Sequence, residues 1–259
     1  MKPKIVPEYN EAWNDRIHQI VDAGQELEGV IRDGLKSRTV SDFRGIYAIG
    51  LALQCLSHFR AGRLLVRSGF GEEVWILIRC VAEHIIKIKW CYLRKTNAEW
   101  LIIATERKDL NRLRGKRRLL RVEKEAIQSI GNRLGGLKIR RNSSYWDRRK
   151  NQIRSLSSTE EMATRAGLKR FYQSYFKAGS DRTHGRHSQL DRFFYIDDQG
   201  SFRGFIIDPV PRDLCDAAYS LSAILVRLLL VFQKCGWTFN QSRLSANVAR
   251  LKALVPSSV

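Results

Sequence analysis

Acidic residues are scarce in this sequence of 259 residues. It contains 26 Asp and Glu against 46 Lys and Arg, which leaves a formal net charge of +20 and a sequence pI near 10.2. A net charge of this size bears on partners rather than on fold, and the usual partners of a basic soluble protein are nucleic acid and anionic membranes. The charge therefore predicts a class of partner before it predicts any reaction.

The sequence also lacks the features of a secreted or disulfide-bonded protein. Its five cysteines are an odd number in apolar surroundings, and no C-x-x-C pair occurs among them. This pattern is typical of reduced cytosolic thiols and not of a disulfide framework or a zinc knuckle. No apolar signal-like run follows Met1, and the most apolar stretches, 74–93 and 217–232, contain charges or are too short to span a membrane. We expect a cytoplasmic protein without a membrane span.

Apolar residues recur at spacings of three and four along most of the chain, which predicts helices. The predicted helices cover about 8–36, 41–68, 72–94, 168–177, 213–234 and 241–254, and two more begin at capping sequences that start at Thr96 and Ser158. The third is apolar on almost all sides, so we expect it in the middle of a bundle. Two short runs of strand-forming residues flank a turn at 193–207. The fold prediction is an all-α bundle of about seven to nine helices with one small β-hairpin near 193–207.

Positive charge is concentrated in one segment. Between Arg107 and Arg154 there are 17 Lys and Arg and four acids, a net charge of +13, whereas the first 36 residues carry a net charge of −2. No internal repeat and no long Ser/Gly/Pro linker divides the chain. We therefore expect a single helical domain over 1–259 with a basic insertion at about 107–154.

The basic insertion is the predicted nucleic-acid interface. Arginine outnumbers lysine there, and a guanidinium group is the better fork for phosphate, while two aromatic residues could stack on unpaired bases. The predicted contacts are Arg114, Arg117, Arg118, Arg121, Arg140, Arg141, Tyr145, Trp146, Arg148 and Arg149. Two alternatives stay open: a solvated basic surface without a ligand, and an acidic protein or a membrane surface as the partner. A membrane-surface helix would need a longer apolar face than residues 107–124 offer.

Two charged residues lie within the apolar third helix. Arg79 and Glu83 are four residues apart, so they share one helix face among isoleucine and valine side chains. We expect both side chains to be buried, either as an internal ion pair or as a functional polar centre. A functional role is considered because a buried ion pair is usually less stabilising than apolar side chains of the same size. A pocket around Arg79 for an anionic small molecule is a further alternative, since a buried arginine suits carboxylate or phosphate.

A second concentration of polar residues runs from Ser180 to His187. It holds two of the five histidines, His184 and His187, next to Arg182 and followed by Asp191, a mixture that suits acid–base chemistry. No further cluster of His or Cys completes a metal site, so we predict no metal and no cofactor. The alternative is a polar loop in which one histidine caps a helix and the other faces solvent.

Three motifs occur in order along the chain. They are the run AGRLLVRSG at 61–69, Arg79-x3-Glu83 in an apolar helix, and Tyr172-x7-Ser180-x3-His184-Gly185. Together they resemble a bacterial helical family catalogued as domain of unknown function 5677, over roughly residues 42–235. The resemblance implies that Arg79, Glu83, Ser180 and His184 converge on one polar centre inside a helical bundle, and it brings no settled activity.

Arg182 and His187 also fit the pattern R-x4-H. This pattern resembles the motif of the HEPN ribonucleases, all-helical proteins of bacterial toxin and antiphage systems. The resemblance implies a reaction without a required metal, in which the arginine holds the scissile phosphate, the histidine assists proton transfer and the RNA 2′-hydroxyl attacks. Thr183 departs from the family, in which the residue after the arginine is strongly polar.

These patterns predict a cytoplasmic protein that interacts with nucleic acid, RNA more than DNA. Its candidate activity is that of a metal-independent ribonuclease of toxin or antiphage-defence type, with Arg182, His184, His187, Arg79, Glu83 and Ser180 as candidate catalytic residues. The alternative is a non-catalytic binding or scaffold subunit that docks nucleic acid or an acidic protein partner. A homodimer is a further open partner.

Overall fold

Helices make up almost all of the described structure. The computed structural model describes residues 11–94, 97–99, 101, 112, 124–125, 127–129, 158–183, 194–196, 199, 201–205 and 211–254. The helices with described bounds are α1 (Glu11–Lys36), α2 (Phe43–Arg67), α3 (Gly71–Leu93), α4 (Thr159–Arg165), α5 (residues 169–183), α6 (Pro211–Lys234) and α7 (Gln241–Ala253). The prediction of an all-α bundle is confirmed.

Most helix ends lie where the sequence predicts them. The Asp42 carboxylate accepts a hydrogen bond from the Gly45 amide at 2.8 Å, and the Ser158 hydroxyl accepts one from the Glu161 amide at 3.1 Å, so both residues cap the helix that follows. Gly167 and Gly236 have φ angles of +70° and +82° and terminate the helices before them.

Helix α5 differs from its prediction. It consists of an α-helical turn (Lys169–Phe171), a π-helical segment (Tyr172–Lys177) and a second α-helical segment (Ala178–Thr183). The predicted helix over 168–177 therefore ends too early, and the alternative of a polar loop is wrong from Ser180 to Thr183. The reason is close packing on α3: a Cβ atom added to Gly179 would lie 2.7 Å from a main-chain oxygen of that helix, so only glycine lets α5 continue there.

Helix α3 occupies the centre of the bundle, as predicted. Helices α2, α4, α5 and α6 all pack against it, and most of its apolar side chains are fully buried. Helix α1 packs on α6 and α7 and makes much less contact with α2, its neighbour in sequence. One polar contact joins α1 to α6 inside the core, since the Ser222 hydroxyl donates to the Ile20 carbonyl oxygen at 3.1 Å.

Helix α6 is long and strongly apolar. Its 22 residues Asp213–Lys234 would suffice to cross a membrane by length and composition, with a mean hydropathy of 1.8 over the best 18-residue window. The expectation that the protein has no membrane span stays a prediction. In the protein 61% of that window is buried, and the helix packs against α1 and α3.

Two short strands occur within the segment for which a hairpin is predicted. They are β1 (Phe194–Ile196) and β2 (Phe202–Phe205), which pair antiparallel with Phe194 opposite Phe205 and Ile196 opposite Phe202. The register shifts between Tyr195 and Ile196, which is the signature of a bulge.

Candidate functional site

The first candidate site lies where α5 crosses α3. We call it the α3–α5 seam, and it comprises Glu72, Trp75 and Arg79 of α3 with Phe176 and Arg182 of α5. The three α3 residues are spaced three and four apart, so they lie on one face of that helix. This face meets both the π-helical segment and the last α-helical segment of α5.

Arg182 is held by two groups of α3. Its Nη1 donates to Glu72 Oε1 at 2.6 Å, and its guanidinium carbon lies 4.4 Å from the centroid of a Trp75 ring. A carboxylate and an aromatic face are the two kinds of group that stabilise a guanidinium best. The positive charge of Arg182 is therefore already compensated within the protein.

Arg79 has an aromatic partner and an unused donor. Its guanidinium carbon lies 4.9 Å from the centroid of the Phe176 ring. Its Nε is buried and has no acceptor among the described residues, and the same is true of Trp75 Nε1. A buried N–H group without an acceptor carries a desolvation cost. The seam thus contains two buried donors available to an acceptor atom that the described residues do not supply.

Glu83 does not pair with Arg79, so the predicted buried ion pair is wrong. Glu83 Oε1 lies 2.6 Å from Lys87 Nζ, one turn further along α3, and the Glu83 side chain is 31% exposed. A glutamate four residues before a lysine is the favourable helical orientation, whereas the Arg79–Glu83 order is the weaker one. Glu83 also lies outside the α3–α5 seam, since it is eleven residues from Glu72, roughly 16 Å along the helix axis.

The structure brings the predicted polar centre together only in part. Arg79 lies beside α5: a Cβ atom added to Gly179 would be 2.9 Å from the Arg79 Cβ. Ser180, the next residue of α5, is half-buried. Glu83 is engaged with Lys87 instead. His184 and His187 lie outside the described residues.

The predicted nucleic-acid contacts also lie outside the described residues. They are Arg114, Arg117, Arg118, Arg121, Arg140, Arg141, Tyr145, Trp146, Arg148 and Arg149. Of the basic insertion, the structure describes residues 112, 124–125 and 127–129, all of them helical.

A pair of histidines that the sequence analysis missed joins α2 to α3. The rings of His58 and His84 are stacked, with centroids 5.5 Å apart and planes 17° from parallel. Burial lowers the pKa of His84 to about 4, and the charges of Lys87 and His58 act in the same direction. Burial also lowers the pKa of His58. Both rings are therefore neutral at pH 7, and His84 Nδ1 has no hydrogen-bond partner among the described residues.

One of the site residues that were not predicted could have been found from the sequence. Trp75 lies four residues before Arg79 on a predicted helix, so helical spacing alone puts the two on one face. Phe176 and His58 gave no such signal, because only the packing of other helices on α3 brings them there.

The cysteines and the metal-ligating side chains provide no alternative centre in the described part of the chain. All five cysteines are free, and burial raises the pKa of the Cys91 thiol to about 12 and raises that of Cys55 still further. Within the ranges that the structure describes, no three His, Cys, Asp or Glu side chains are grouped so that they could hold a metal ion.

Comparison with known proteins identifies a family. No curated protein and no solved structure matches the chain. Residues 45–202 match the model of a family of unknown function, DUF5677, and this range is more than half of the 259 residues. It includes every residue of the α3–α5 seam. The chain therefore belongs to DUF5677, a family of unknown function.

Proposed function

We propose that the protein interacts with nucleic acid, RNA rather than DNA, through the basic insertion at about 107–154. The uneven distribution of charge carries this proposal. The insertion contains 17 basic and four acidic residues, whereas the first 36 residues have a net negative charge. Charge that served only solubility would be spread more evenly. Tyr145 and Trp146 favour RNA, since aromatic side chains between arginines stack on unpaired bases.

The described helices that flank the insertion, α3 and α4, pack against each other. The chain leaves α3 at Leu93, and α4, which begins at Thr159, packs against α3 again. The helices on both sides of the insertion therefore belong to the central layer of the bundle.

Salt dependence of binding tests the interaction. Fluorescence anisotropy with labelled single-stranded RNA should give a log–log slope of affinity against salt near −3.5 for about five phosphate contacts. Reversing the charge of four insertion arginines to glutamate should flatten that slope. The four are Arg117, Arg118, Arg140 and Arg141.

A matched variant separates a local interface from overall charge. It reverses four exposed basic residues outside the insertion, Arg170, Lys234, Arg250 and Lys252, and so changes the net charge equally. Affinity and slope should stay much closer to those of the unaltered protein. Equal weakening in the two variants would mean that the +20 charge acts as a whole and that the insertion is no specific interface.

Metal-independent RNA cleavage is the catalytic form of this proposal, and it rests on the resemblance through Arg182 and His187. Cleavage should persist in EDTA, leave 2′,3′-cyclic phosphate ends and spare DNA, which lacks the attacking hydroxyl. A histidine that assists proton transfer contributes about 10²–10⁴-fold to the rate, so His187→Ala should lose that much. Loss in His184→Ala and Arg79→Ala instead would favour the polar centre that the family resemblance implies.

A second candidate function is non-catalytic binding, and the contacts of Arg182 favour it. Its guanidinium is compensated by Glu72 and lies on Trp75, which is what a structural tie between two helices requires. Glu72→Gln separates the two functions. If Arg182 holds a phosphate, releasing it from Glu72 should preserve or raise the cleavage rate. If Arg182 is a tie, the variant should lose stability, and the unaltered protein should bind RNA without cutting it.

A further inference from the structure

A surface cavity of about 320 Å³ lies between α1, α2 and α7, remote in sequence from the basic insertion. Four arginines line it, Arg32 from α1, Arg60 and Arg63 from α2, and Arg243 from α7. The cavity exists because α1 packs on α6 and α7 rather than on α2, so that only long side chains bridge the gap between the first two helices. We call it the α1–α2–α7 cavity.

Two of the four arginines are compensated by carboxylates. Arg60 Nη2 lies 2.6 Å from Glu28 Oε1, and the Glu28 side chain is only 7% exposed. Arg243 Nη1 lies 2.9 Å from Asp33 Oδ2, and Arg243 Nη2 lies 3.5 Å from Glu26 Oε2. These pairs engage both carboxylates of the lining, Glu26 and Glu28.

The other two arginines carry uncompensated charge. Arg63 Nη1 donates to Gln25 Oε1, a neutral acceptor, at 2.5 Å, and Arg63 Nε is buried without a hydrogen-bond partner. Arg32 is exposed and forms no ion pair with any residue that the structure describes. Two guanidinium groups, one of them with a buried Nε donor, thus line the cavity without an ion pair to any residue that the structure describes.

The lining specifies the chemistry of a ligand. Its described side chains are all charged or amide groups, apart from Gly29, and none is aromatic or aliphatic. Such a lining has no aromatic ring or apolar surface for a nucleobase, whereas guanidinium forks match phosphate oxygens in geometry and charge. Two uncompensated arginines suit an anion with more than one negative charge.

We propose that the α1–α2–α7 cavity binds a compact, multiply charged phosphate anion, in the form of pyrophosphate or of the diphosphate group of a nucleotide. The proposal is independent of RNA binding by the insertion. Arg63 provides the buried donor and Arg32 the second charge. Gly29 leaves the space between them open, since a Cβ atom there would meet only Arg243 Nη2 at 3.5 Å.

Titration calorimetry with pyrophosphate tests this site. We expect Arg63→Gln and Arg32→Gln each to weaken binding by at least about tenfold, because each removes a charge-assisted hydrogen bond. Arg250→Gln, at an exposed position of α7 outside the lining, removes the same charge and should change affinity by less than about twofold. Gly29→Leu should block binding by filling the cavity without altering any charge.

The outcomes divide clearly. If ADP and UDP bind with the same affinity as pyrophosphate, the free diphosphate is a sufficient ligand. If either nucleotide binds more tightly than pyrophosphate, the nucleotide is the source of the diphosphate. Absence of pyrophosphate binding, equal loss in Arg250→Gln, or full binding in Gly29→Leu would overturn the proposal. If Arg63→Gln fails to fold, Arg32→Gln and Gly29→Leu still decide the question, since both residues tolerate replacement sterically.

Discussion

The protein uses arginine in two different ways, and the α3–α5 seam and the α1–α2–α7 cavity show the contrast. In the seam, Arg79 and Arg182 lie on aromatic rings between helices that touch. In the cavity, Arg32 and Arg63 face open space between helices that stand apart. The same side chain is therefore a structural tie where an aromatic face covers it and a potential anion receptor where none does.

The largest expected effect is at the aromatic side of the seam. Trp75→Ala should reduce the free energy of unfolding by about 3–5 kcal/mol, because Trp75 is buried and also supports Arg182. Urea unfolding measures this. Trp75→Phe keeps a ring and removes the unpartnered Nε1, so it should lose less than half as much. A loss below about 1 kcal/mol in Trp75→Ala would show that the seam is not a structural tie.

The histidine pair sharpens the comparison, because histidine can give up its charge and arginine cannot. The pKa of His84 is about 4 in the folded protein and 6.5 in the unfolded chain. Between pH 6.5 and pH 4 the unfolded chain binds a proton that the folded protein does not. Stability should therefore fall over this range by up to about 3 kcal/mol and should be unaffected by His84 above it.

Unfolding measured at several pH values separates the contribution of His84 from that of other groups. His84→Gln should flatten the loss between pH 6.5 and pH 4. His18→Gln, at an exposed position of α1, controls for the removal of a histidine as such. Identical pH profiles for His84→Gln and the unaltered protein would contradict the burial of the His84 ring.

Close contact between α3 and α5 predicts an effect of intermediate size. Gly179→Ala should cost about 1–3 kcal/mol, because its Cβ would lie within 2.9 Å of both α3 contacts. Gly50→Ala on α2 is the matched control, since nothing lies within 4 Å of a Cβ there. That variant should gain up to about 1 kcal/mol from helix propensity. Thermal unfolding of the two variants should shift the midpoint in opposite directions.

The ion pair of the seam should contribute less. A double-mutant cycle of Glu72→Gln and Arg182→Gln should give a coupling of about 1 kcal/mol, because the pair is half-buried and Arg182 also lies on Trp75. The surface pair Glu161 and Arg165 of α4 is the matched control and should give about 0.3–0.5 kcal/mol. Equal couplings would mean that the seam confers no advantage on its ion pair.

The smallest effect is expected at the cavity. Arg32→Gln should change the free energy of unfolding by no more than about 0.5 kcal/mol, and at low salt it should raise it, since it removes repulsion among four arginines. Comparison of urea unfolding at low and high salt measures this. Arg60→Gln is the contrasting variant: it leaves the buried Glu28 carboxylate without its cation and should clearly destabilise the protein.

The sequence was sufficient for the helical fold but not for the site. Helix α1, the cap at Ser158 and the central place of α3 all follow from local patterns, and the structure confirms them. The partner of Arg79 could not be predicted in this way. It depends on the π-helical segment that aims Phe176 at α3, and no spacing rule encodes that segment.

The cavity was hidden for a related reason. From the sequence, α1 and α2 are consecutive helices, and consecutive elements are usually neighbours in space. Helix α1 instead packs its apolar face against α6 and α7. The charged residues on its other side therefore lie across a gap from Arg60 and Arg63. Only long-range packing reveals which arginines lack a counter-charge.

That placement of α1 also sets an order of events during synthesis. About 175 positions separate the end of α1 from the start of α6, against which it packs. At about 5–20 residues per second, a ribosome needs roughly 10–35 s to produce the partner after α1 has emerged. Throughout that interval α1 lacks the helix that buries most of its apolar stripe, so this part of the bundle closes only after α6 has been made.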